Sequence, residues 1–126
     1  MPTALDLTPE ELKMYRAAAR RRQERDQQAL VRRTKRAWEL AQRAAELLRE
    51  RFGATRVVVF GSLVHENCFT PWSDVDIAGW GIRRQDTFRA IGAVMDLDTE
   101  IQVNLVDVNT CSPALLAVIE GEGIEV

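Results

Sequence analysis

Hydrophobic side chains in the N-terminal part of the chain recur at steps of three and four residues, the spacing of one face of an α-helix. The stripe consists of Trp38, Ala41, Ala45, Leu48 and Phe52. A helix-start signal lies upstream, where Thr8 precedes Pro9 and Glu11 completes a capping box. No further Pro or Gly occurs before Gly53. The pattern predicts helix throughout this segment, as one long helix or as two helices separated within residues 20–28.

The stretch from Arg20 to Gln28 has no apolar face, because every residue in it is charged or carries an amide. Such a segment is solvent-exposed, paired with another copy of the chain, or bound to an acidic partner. Clustered arginine also suits nucleic acid, but the interleaved acids and the lack of stacking aromatic residues argue against that partner. Self-association through Leu12, Tyr15 and Ala19 is a further alternative.

Short apolar runs replace the helical pattern after Gly53. The predicted strands are Val57–Phe60, Ile77–Ala78 and Ile101–Val108, and the predicted helices are residues 84–96 and Ala114–Glu120. Residues that the first of these helices would turn inward are Phe88, Ile91, Val94 and Met95. This order predicts an α+β fold, a small mixed β-sheet with helices packed on one face. We expect a basic helical extension at residues 1–52 and a catalytic-size domain at residues 53–126.

Charge is divided unevenly between these two parts. Residues 1–52 carry 13 Lys and Arg against 8 Asp and Glu, whereas residues 53–126 carry 4 against 11. The acidic part fits a metal site built from surplus carboxylates. No apolar run is long enough to span a membrane, and the start of the sequence lacks the regions of a secretory signal. With two widely separated cysteines, Cys68 and Cys111, these features predict a cytoplasmic protein with reduced thiols.

The stretch from Gly61 to Asp76 carries the candidate chemistry. Alternate residues of a strand share a face, so Asp74 and Asp76 are expected side by side at the start of the second strand. Two carboxylates that close repel unless a cation lies between them, and oxygen ligands of this kind suit Mg²⁺. The preceding Gly61 and Ser62 suit phosphate, because glycine permits a close backbone approach and the hydroxyl donates a hydrogen bond.

Gly-Ser, a gap of about ten residues and then Asp-x-Asp resembles the signature of the nucleotidyltransferase superfamily that includes DNA polymerase beta. The short length is similar to its minimal nucleotidyltransferase branch. The resemblance covers roughly residues 51–126, because the later strand and the run Ser112-Pro113 to Gly123 also fit. It implies the polymerase beta-like nucleotidyltransferase fold and transfer of a nucleotidyl group, AMP from ATP, with Mg²⁺ as cofactor. Asp74 and Asp76 would hold the metal, and Gly61, Ser62 and Ser73 would bind the nucleotide.

One position departs from the pattern of the resemblance. The superfamily has a third acidic residue on the later strand, and Asn104 occupies that position here. An amide is neither a general base nor a strong magnesium ligand. On an ideal strand Glu100 would lie on the same face as Asn104, because the two are an even number of residues apart. Asp107 would lie on the opposite face and would need a bulge or the strand end to reach the site. Glu100 and Asp107 are therefore the two candidates for the missing catalytic carboxylate.

The resemblance also implies a partner. Minimal nucleotidyltransferases of this kind occur with HEPN-type helical ribonucleases as antitoxin and toxin, which predicts a HEPN-like protein whose hydroxyl is modified. The other class of function is a catalytically impaired module that binds nucleotide or a partner protein without turnover. Asn104 favours that alternative, whereas the Gly-Ser turn and the Asp-x-Asp pair favour the enzyme.

Overall fold

A computed structural model describes residues 6–126 of the protein. The elements of this part are α1 (Pro9–Phe52), β1 (Arg56–Phe60), β2 (Val75–Trp80), α2 (Thr87–Met95), β3 (Val103–Asp107), α3 (Pro113–Glu122) and β4 (Ile124–Glu125). Single 3-10 turns occupy Gly61–Val64, Arg84–Asp86 and Val108–Thr110. None of the helices in the described residues combines the length and the apolar character that crossing a membrane requires.

The first helix begins and ends at the residues that the sequence predicts. Thr8 Oγ1 accepts a hydrogen bond from the Glu11 amide at 3.1 Å, and the Thr8 amide donates to the Glu11 carboxylate at 3.4 Å, which completes the capping box. At the other end Gly53 takes a φ of 70°, and the Ala54 amide donates to the Leu48 carbonyl at 3.0 Å. Of the two alternatives, one continuous helix is confirmed.

The described residues up to Arg32 form one structural unit, and Arg33–Val126 form a second. In the first unit Met14, Tyr15 and Val31 are exposed, and self-association through this helix stays a prediction. In the second unit the inner face of α1 is fully buried, and its buried residues are Ala37, Leu40, Ala41, Ala44, Ala45 and Leu48. The structure thus groups the second half of α1 with the sheet, whereas the division expected from sequence follows Phe52.

The four strands form one mixed sheet in the order β3-β2-β1-β4. Strand β1 pairs antiparallel with both β2 and β4, and β2 pairs parallel with β3. The register places Phe60 opposite Asp76 and Asp76 opposite Asn104. Because directly paired residues share a face, these three side chains lie on the same face of the sheet.

Helices contact both faces of this sheet. On the face of Phe60, Ile119 of α3 packs with Val58, Phe60 and Ala78. The opposite face, which carries Val57, Val59 and Ile77, is completely buried. Helix α2 begins beside that opposite face, because Thr87 Oγ1 donates to the Asp107 carboxylate at 2.7 Å. The α+β fold with a mixed sheet and a long first helix is confirmed, and α3 adds a helix on the face that the sequence left uncovered.

Helix α2 presents a different face to the core than its hydrophobic stripe predicts. Ala90 and Val94 are buried, whereas Phe88 is 87% exposed and Met95 is 43% exposed. The prediction that Phe88 and Met95 face inward is therefore wrong. At the start of the helix Thr87 is bonded to Asp107 on β3, and the next residue, Phe88, points to solvent.

Candidate active site

The centre of the site is a pair of carboxylates joined by an amide. Asp76 lies in β2, and Asp74 directly precedes the strand. The Asn104 amide nitrogen donates to Asp74 Oδ2 at 3.3 Å and to Asp76 Oδ1 at 3.4 Å, because the parallel register brings β3 alongside. The structure thus confirms that the two carboxylates adjoin and shows Asn104 in contact with both.

The ionisation of Asp76 is disfavoured at this position. Burial is the largest cause that raises the pKa of Asp76 above its ordinary value, and the negative charge of Asp74 raises it further. The hydrogen bond from Asn104 opposes both causes without cancelling them. A cation bound between the carboxylates would relieve this unfavourable ionisation.

Gln102 is a part of the site that the sequence analysis missed. Its side-chain amide donates to Asn104 Oδ1 at 2.7 Å, so the Asn104 oxygen is engaged and its nitrogen faces the carboxylates. The signal was present in the sequence, since residues two apart on a strand share a face. Gln102 thereby helps to fix the orientation of Asn104.

The Gly-Ser turn lies directly against the acidic pair. Gly61 has a φ of 78°, and a Cβ at this position would lie 2.7 Å from Asp76 Oδ2. Only glycine fits, because any side chain would be both strained and in collision with the carboxylate. Ser62 follows within the 3-10 turn Gly61–Val64. Such a turn is too short to provide a helix N-terminus for a phosphate.

Ser73 belongs to a hydrogen-bonded turn next to Asp74. Its Oγ accepts from the Thr70 amide at 2.9 Å and lies 2.8 Å from Thr70 Oγ1. The Ser73 carbonyl accepts from Arg33 Nη2 at 3.1 Å. The structure places Ser73 beside the pair, where its hydroxyl is already used to close the turn.

Asp107 lies away from the pair. It is directly opposite Gly79 in the sheet and only 2% exposed, on the face of the sheet that does not carry Asp76. Its carboxylate accepts hydrogen bonds from Thr87 Oγ1 and from the backbone N–H of Asn109. The strand has no bulge that would turn Asp107 toward the site, so its parity decides its position. These contacts give Asp107 a structural role at the start of α2.

Glu100 lines the same pocket as Asp74, although not for the reason given by strand parity. It precedes β3 in an irregular segment, and its amide donates to Asp98 Oδ2 at 3.1 Å. Its side chain lines a pocket of about 440 Å³ together with Asp74 and Gln102. Of the two candidates for a third carboxylate, the structure brings Glu100 to this pocket and leaves Asp107 on the opposite face.

The donor set fits Mg²⁺ bound with substrate. Within residues 6–126 no group of three His, Cys, Asp or Glu side chains converges on a common point. Mg²⁺ commonly takes only one or two protein carboxylates and completes its shell with water and substrate phosphate. Asp74 and Asp76 provide that minimum, and the Gly61 backbone lies close to the Asp76 carboxylate.

The structure resembles single chains from solved structures of two toxin–antitoxin complexes. Comparison of the sequence with protein-family models and with curated proteins gives no match. One similar chain comes from a crystal structure of a mutant of the toxin–antitoxin MntA-HpeT. Its TM-score is 0.55 at 21% identity, over 68% of this chain and 69% of that chain.

A second similar chain comes from a complex of a tri-AMPylated Shewanella oneidensis HEPN toxin with an MNT antitoxin. Its TM-score is 0.52 at 21% identity, over 71% of this chain and 70% of that chain. At this identity the likeness is one of fold. The fold that the Gly-Ser turn and the Asp-x-Asp pair predicted is confirmed as that of the minimal nucleotidyltransferases of HEPN/MNT complexes.

Proposed function

We propose that the protein is a Mg²⁺-dependent nucleotidyltransferase that transfers AMP from ATP to a hydroxyl of a HEPN-type partner protein. The observation that carries the proposal is the contact between the Gly61 backbone and the Asp76 carboxylate, with Asp74 alongside. A phosphate-binding turn and a carboxylate pair thus meet at one point. One of the similar structures holds an AMPylated HEPN toxin, which supports the acceptor class.

Each residue has a distinct part in this proposal. Asp74 and Asp76 hold Mg²⁺ and thereby orient the triphosphate, while Gly61 and Ser62 bind its outer phosphates. Bound there, Mg²⁺ supplies positive charge that offsets the phosphate oxygens and the leaving pyrophosphate. Asn104 keeps the two carboxylates together through its paired hydrogen bonds.

The transfer itself exchanges one phosphorus–oxygen bond for another. The acceptor oxygen forms a bond to the α-phosphorus, and the bond from the α-phosphorus to the bridging oxygen breaks, so that pyrophosphate leaves with the electron pair. The acceptor proton passes to Glu100, the carboxylate that lines the pocket beside Asp74. Asp107 takes no part, because Thr87 and the Asn109 amide engage it on the other face.

A binding module without turnover is the second candidate, and Asn104 is the observation that favours it. In that case the site binds ATP or a partner, and Asn104 stands where a third carboxylate would activate the acceptor. The enzyme requires ATP to bind at Gly61 and the acidic pair, whereas the binding module takes either nucleotide or a partner protein there. They differ in whether the α-phosphate is transferred.

The test uses ATP labelled at the α-phosphate in one reaction and at the γ-phosphate in another. The full chain is incubated with Mg²⁺ and a HEPN-type protein that copurifies with it. We expect label on the partner only from the α-labelled ATP, and none with Asp76→Asn. Glu66→Gln provides the matched control, because Glu66 is an exposed carboxylate of the same unit outside the pocket.

The outcomes separate the two candidates. Transfer by the wild-type chain and by Glu66→Gln, with none by Asp76→Asn, supports the enzyme. ATP binding by calorimetry without label on the partner would instead support the binding module. Label from γ-labelled ATP would contradict both, because it would indicate phosphoryl transfer.

A further inference from the structure

Trp72 is 86% exposed although it lies two positions before Asp74. A large aromatic side chain left in water forgoes the free energy that its burial would provide. Three arginine–aromatic contacts occur among residues 6–126, and all of them involve other rings. The face of this indole is therefore available to a ligand next to the acidic pair.

The turn that carries Trp72 is held by its own hydrogen bonds. Its amide donates to Thr70 Oγ1 at 3.2 Å, and the Ser73 amide donates to the Thr70 carbonyl at 3.1 Å. Ser73 Oγ accepts from the Thr70 amide at 2.9 Å and closes the turn a second time. Pro71 further restricts the backbone. The turn thus presents the indole in a defined place, which lowers the entropy that binding would cost.

Arg33 anchors this turn from the second half of α1. Its Nε donates to the Thr70 carbonyl at 3.3 Å, and its Nη2 donates to the Ser73 carbonyl at 3.1 Å. The guanidinium also lies over the ring of Phe69, 5.8 Å from its centroid. The turn is therefore bonded to a helix as well as to itself, a stronger support than a solvated surface loop has.

The pocket beside Trp72 carries a negative charge. Its charged lining residues are Arg33, Asp74, Asp96, Asp98 and Glu100, and its volume is about 440 Å³. Arg36 pairs with Asp98 at 3.0 Å, so that carboxylate is neutralised within the protein. The remaining carboxylates outnumber Arg33. An exposed indole beside surplus carboxylates is a combination that attracts a cation, since tryptophan is the best cation–π partner.

The position of the pocket matches the side from which an acceptor must arrive. In a transfer from ATP the attacking and leaving oxygens lie roughly in line on opposite sides of the phosphorus. Gly61 and Ser62, which would hold the leaving phosphates, follow β1 and adjoin Asp76. The pocket is lined by Asp74, Glu100 and Gln102, toward the β3 side of β2. In the sheet, Asp76 of β2 is paired with Phe60, the residue before Gly61, on one side and with Asn104 of β3 on the other, so the turn and the pocket lie toward opposite neighbours of β2.

We infer that this pocket receives the acceptor, and that Trp72 with the neighbouring carboxylates binds an arginine or lysine side chain close in sequence to the modified hydroxyl. The inference rests on the proposed function and adds the chemical class of its acceptor, a cationic protein segment. An anionic acceptor such as the 3′ end of an RNA is repelled by the same carboxylates.

The test measures binding without nucleotide, so that it does not depend on turnover. Three capped peptides with a central tyrosine are flanked by arginine, by its uncharged isostere citrulline, or by glutamate. Each is titrated to millimolar concentration into ¹⁵N-labelled protein. The backbone N–H signal of Ser73, which the wild type and the variants at position 72 share, is followed together with the Trp72 indole N–H signal of the wild type. We expect the arginine peptide to bind about three- to thirtyfold more tightly than the citrulline peptide, and the glutamate peptide not to bind.

Trp72→Leu and Phe88→Leu form a matched pair of variants. Both residues are almost fully exposed, so neither substitution endangers the fold, but only Trp72 lines the pocket. Trp72→Leu is expected to remove the preference for arginine over citrulline, and Phe88→Leu to keep it. Asp96→Asn should weaken the arginine peptide about twofold, as expected for an exposed charge.

Two results would overturn the inference. One is equal binding, or no binding, of the arginine and citrulline peptides at millimolar concentration. The other is displacement of the arginine peptide by an oligoribonucleotide with a free 3′ hydroxyl, which would indicate a nucleic-acid acceptor. If the peptides bind as expected while no label reaches a partner from ATP, the proposed transfer fails and this cation site stands. If transfer proceeds and Trp72→Leu leaves the KM for the partner unchanged, the cation site fails alone.

Discussion

The carboxylates at the start of β2 and the carboxylate at the start of α2 have opposite surroundings within one structural unit. Asp76 has Asp74 two positions away, and both accept hydrogen bonds from the uncharged Asn104 amide. Asp86 is only 3% exposed and accepts from Arg83 Nε at 2.9 Å and from Arg89. The pKa of Asp76 is raised, chiefly by burial, whereas the hydrogen bond from Arg89, then that from Arg83, lowers the pKa of Asp86.

This difference separates a carboxylate that the protein neutralises itself from a pair that it leaves without a neighbouring cation. At Asp86 the chain supplies two guanidinium groups of its own, so the charge is satisfied when the protein folds. At the acidic pair the neighbouring donor is an amide, which orients the carboxylates without neutralising them. The pair retains a need for positive charge that a bound cation would meet, and this need supports the proposed site for Mg²⁺ and nucleotide.

The largest expected effect is the loss of transfer in Asp76→Asn. The substitution removes a carboxylate that we propose to bind Mg²⁺, and transfer to the partner should fall by at least about a thousandfold. The free energy of unfolding in the absence of divalent cations should not decrease, since the lost charge was unfavourable in the folded protein. Initial rates with α-labelled ATP and urea unfolding in EDTA measure the two quantities. A large loss of stability would mean that Asp76 is structural, like Asp86.

Asn104→Asp sharpens the comparison in the other direction. A third carboxylate beside Asp74 and Asp76 increases the negative charge, so Mg²⁺ or Mn²⁺ should bind about tenfold more tightly and transfer should accelerate. Without divalent cations the variant should be less stable than the wild type, because three carboxylates repel. Calorimetric titration with Mn²⁺ measures the affinity, and Asn67→Asp, which adds a carboxylate at an exposed position outside the pocket, is the control. Unchanged affinity would show that position 104 does not face a metal.

Asp86→Asn should lower stability and leave the proposed activity unchanged. The amide cannot replace the charge-assisted hydrogen bonds to Arg83 and Arg89, so the thermal midpoint should fall by a few degrees. Circular dichroism on heating measures the midpoint, and labelled ATP measures transfer. Loss of transfer with an intact fold would contradict the structural role given to this carboxylate.

The sequence predicts those features of the fold and of the site that depend on residues close together in the chain. The capping box at Thr8, the stop at Gly53 and the Gly-Ser turn before Asp74 and Asp76 are of this kind. The alternation of side chains along a strand also predicts that Asp107 lies on the opposite face from Asn104, and the sheet register confirms this.

Contacts that join distant residues could not be predicted in the same way. Arg33 donates a hydrogen bond to the Thr70 carbonyl, 37 residues further along the chain, and no local pattern links these two positions. The orientation of α2 could not be predicted locally, because Phe88 and Ala90 begin two apolar stripes on the same helix. The structure buries the stripe of Ala90 and Val94 and leaves Phe88 in solvent. The cytoplasmic location expected from the sequence stays a prediction.

The smallest expected effect is a pH dependence with opposite signs at the two regions. The folded pKa of Asp86 lies below its unfolded value, so its contribution is complete above about pH 4 and is lost as pH falls through the folded pKa. The folded pKa of Asp76 lies above its unfolded value. In the folded protein the Asp76 carboxyl therefore stays protonated to a higher pH than in the unfolded chain. The free energy of unfolding falls as pH rises from about 4 through that raised pKa.

Urea unfolding of the wild type, Asp76→Asn and Asp86→Asn between pH 3 and pH 8 in EDTA tests both signs. The stability of the wild type relative to Asp86→Asn should increase as pH rises toward about 4 and then stay constant. The stability of the wild type relative to Asp76→Asn should decrease above about pH 4 and then become constant. Two differences of the same sign would contradict the distinction between the regions. Saturating Mg²⁺ and ATP should diminish only the Asp76 difference, because bound cation favours the ionised carboxylate there and leaves Asp86 with its arginines.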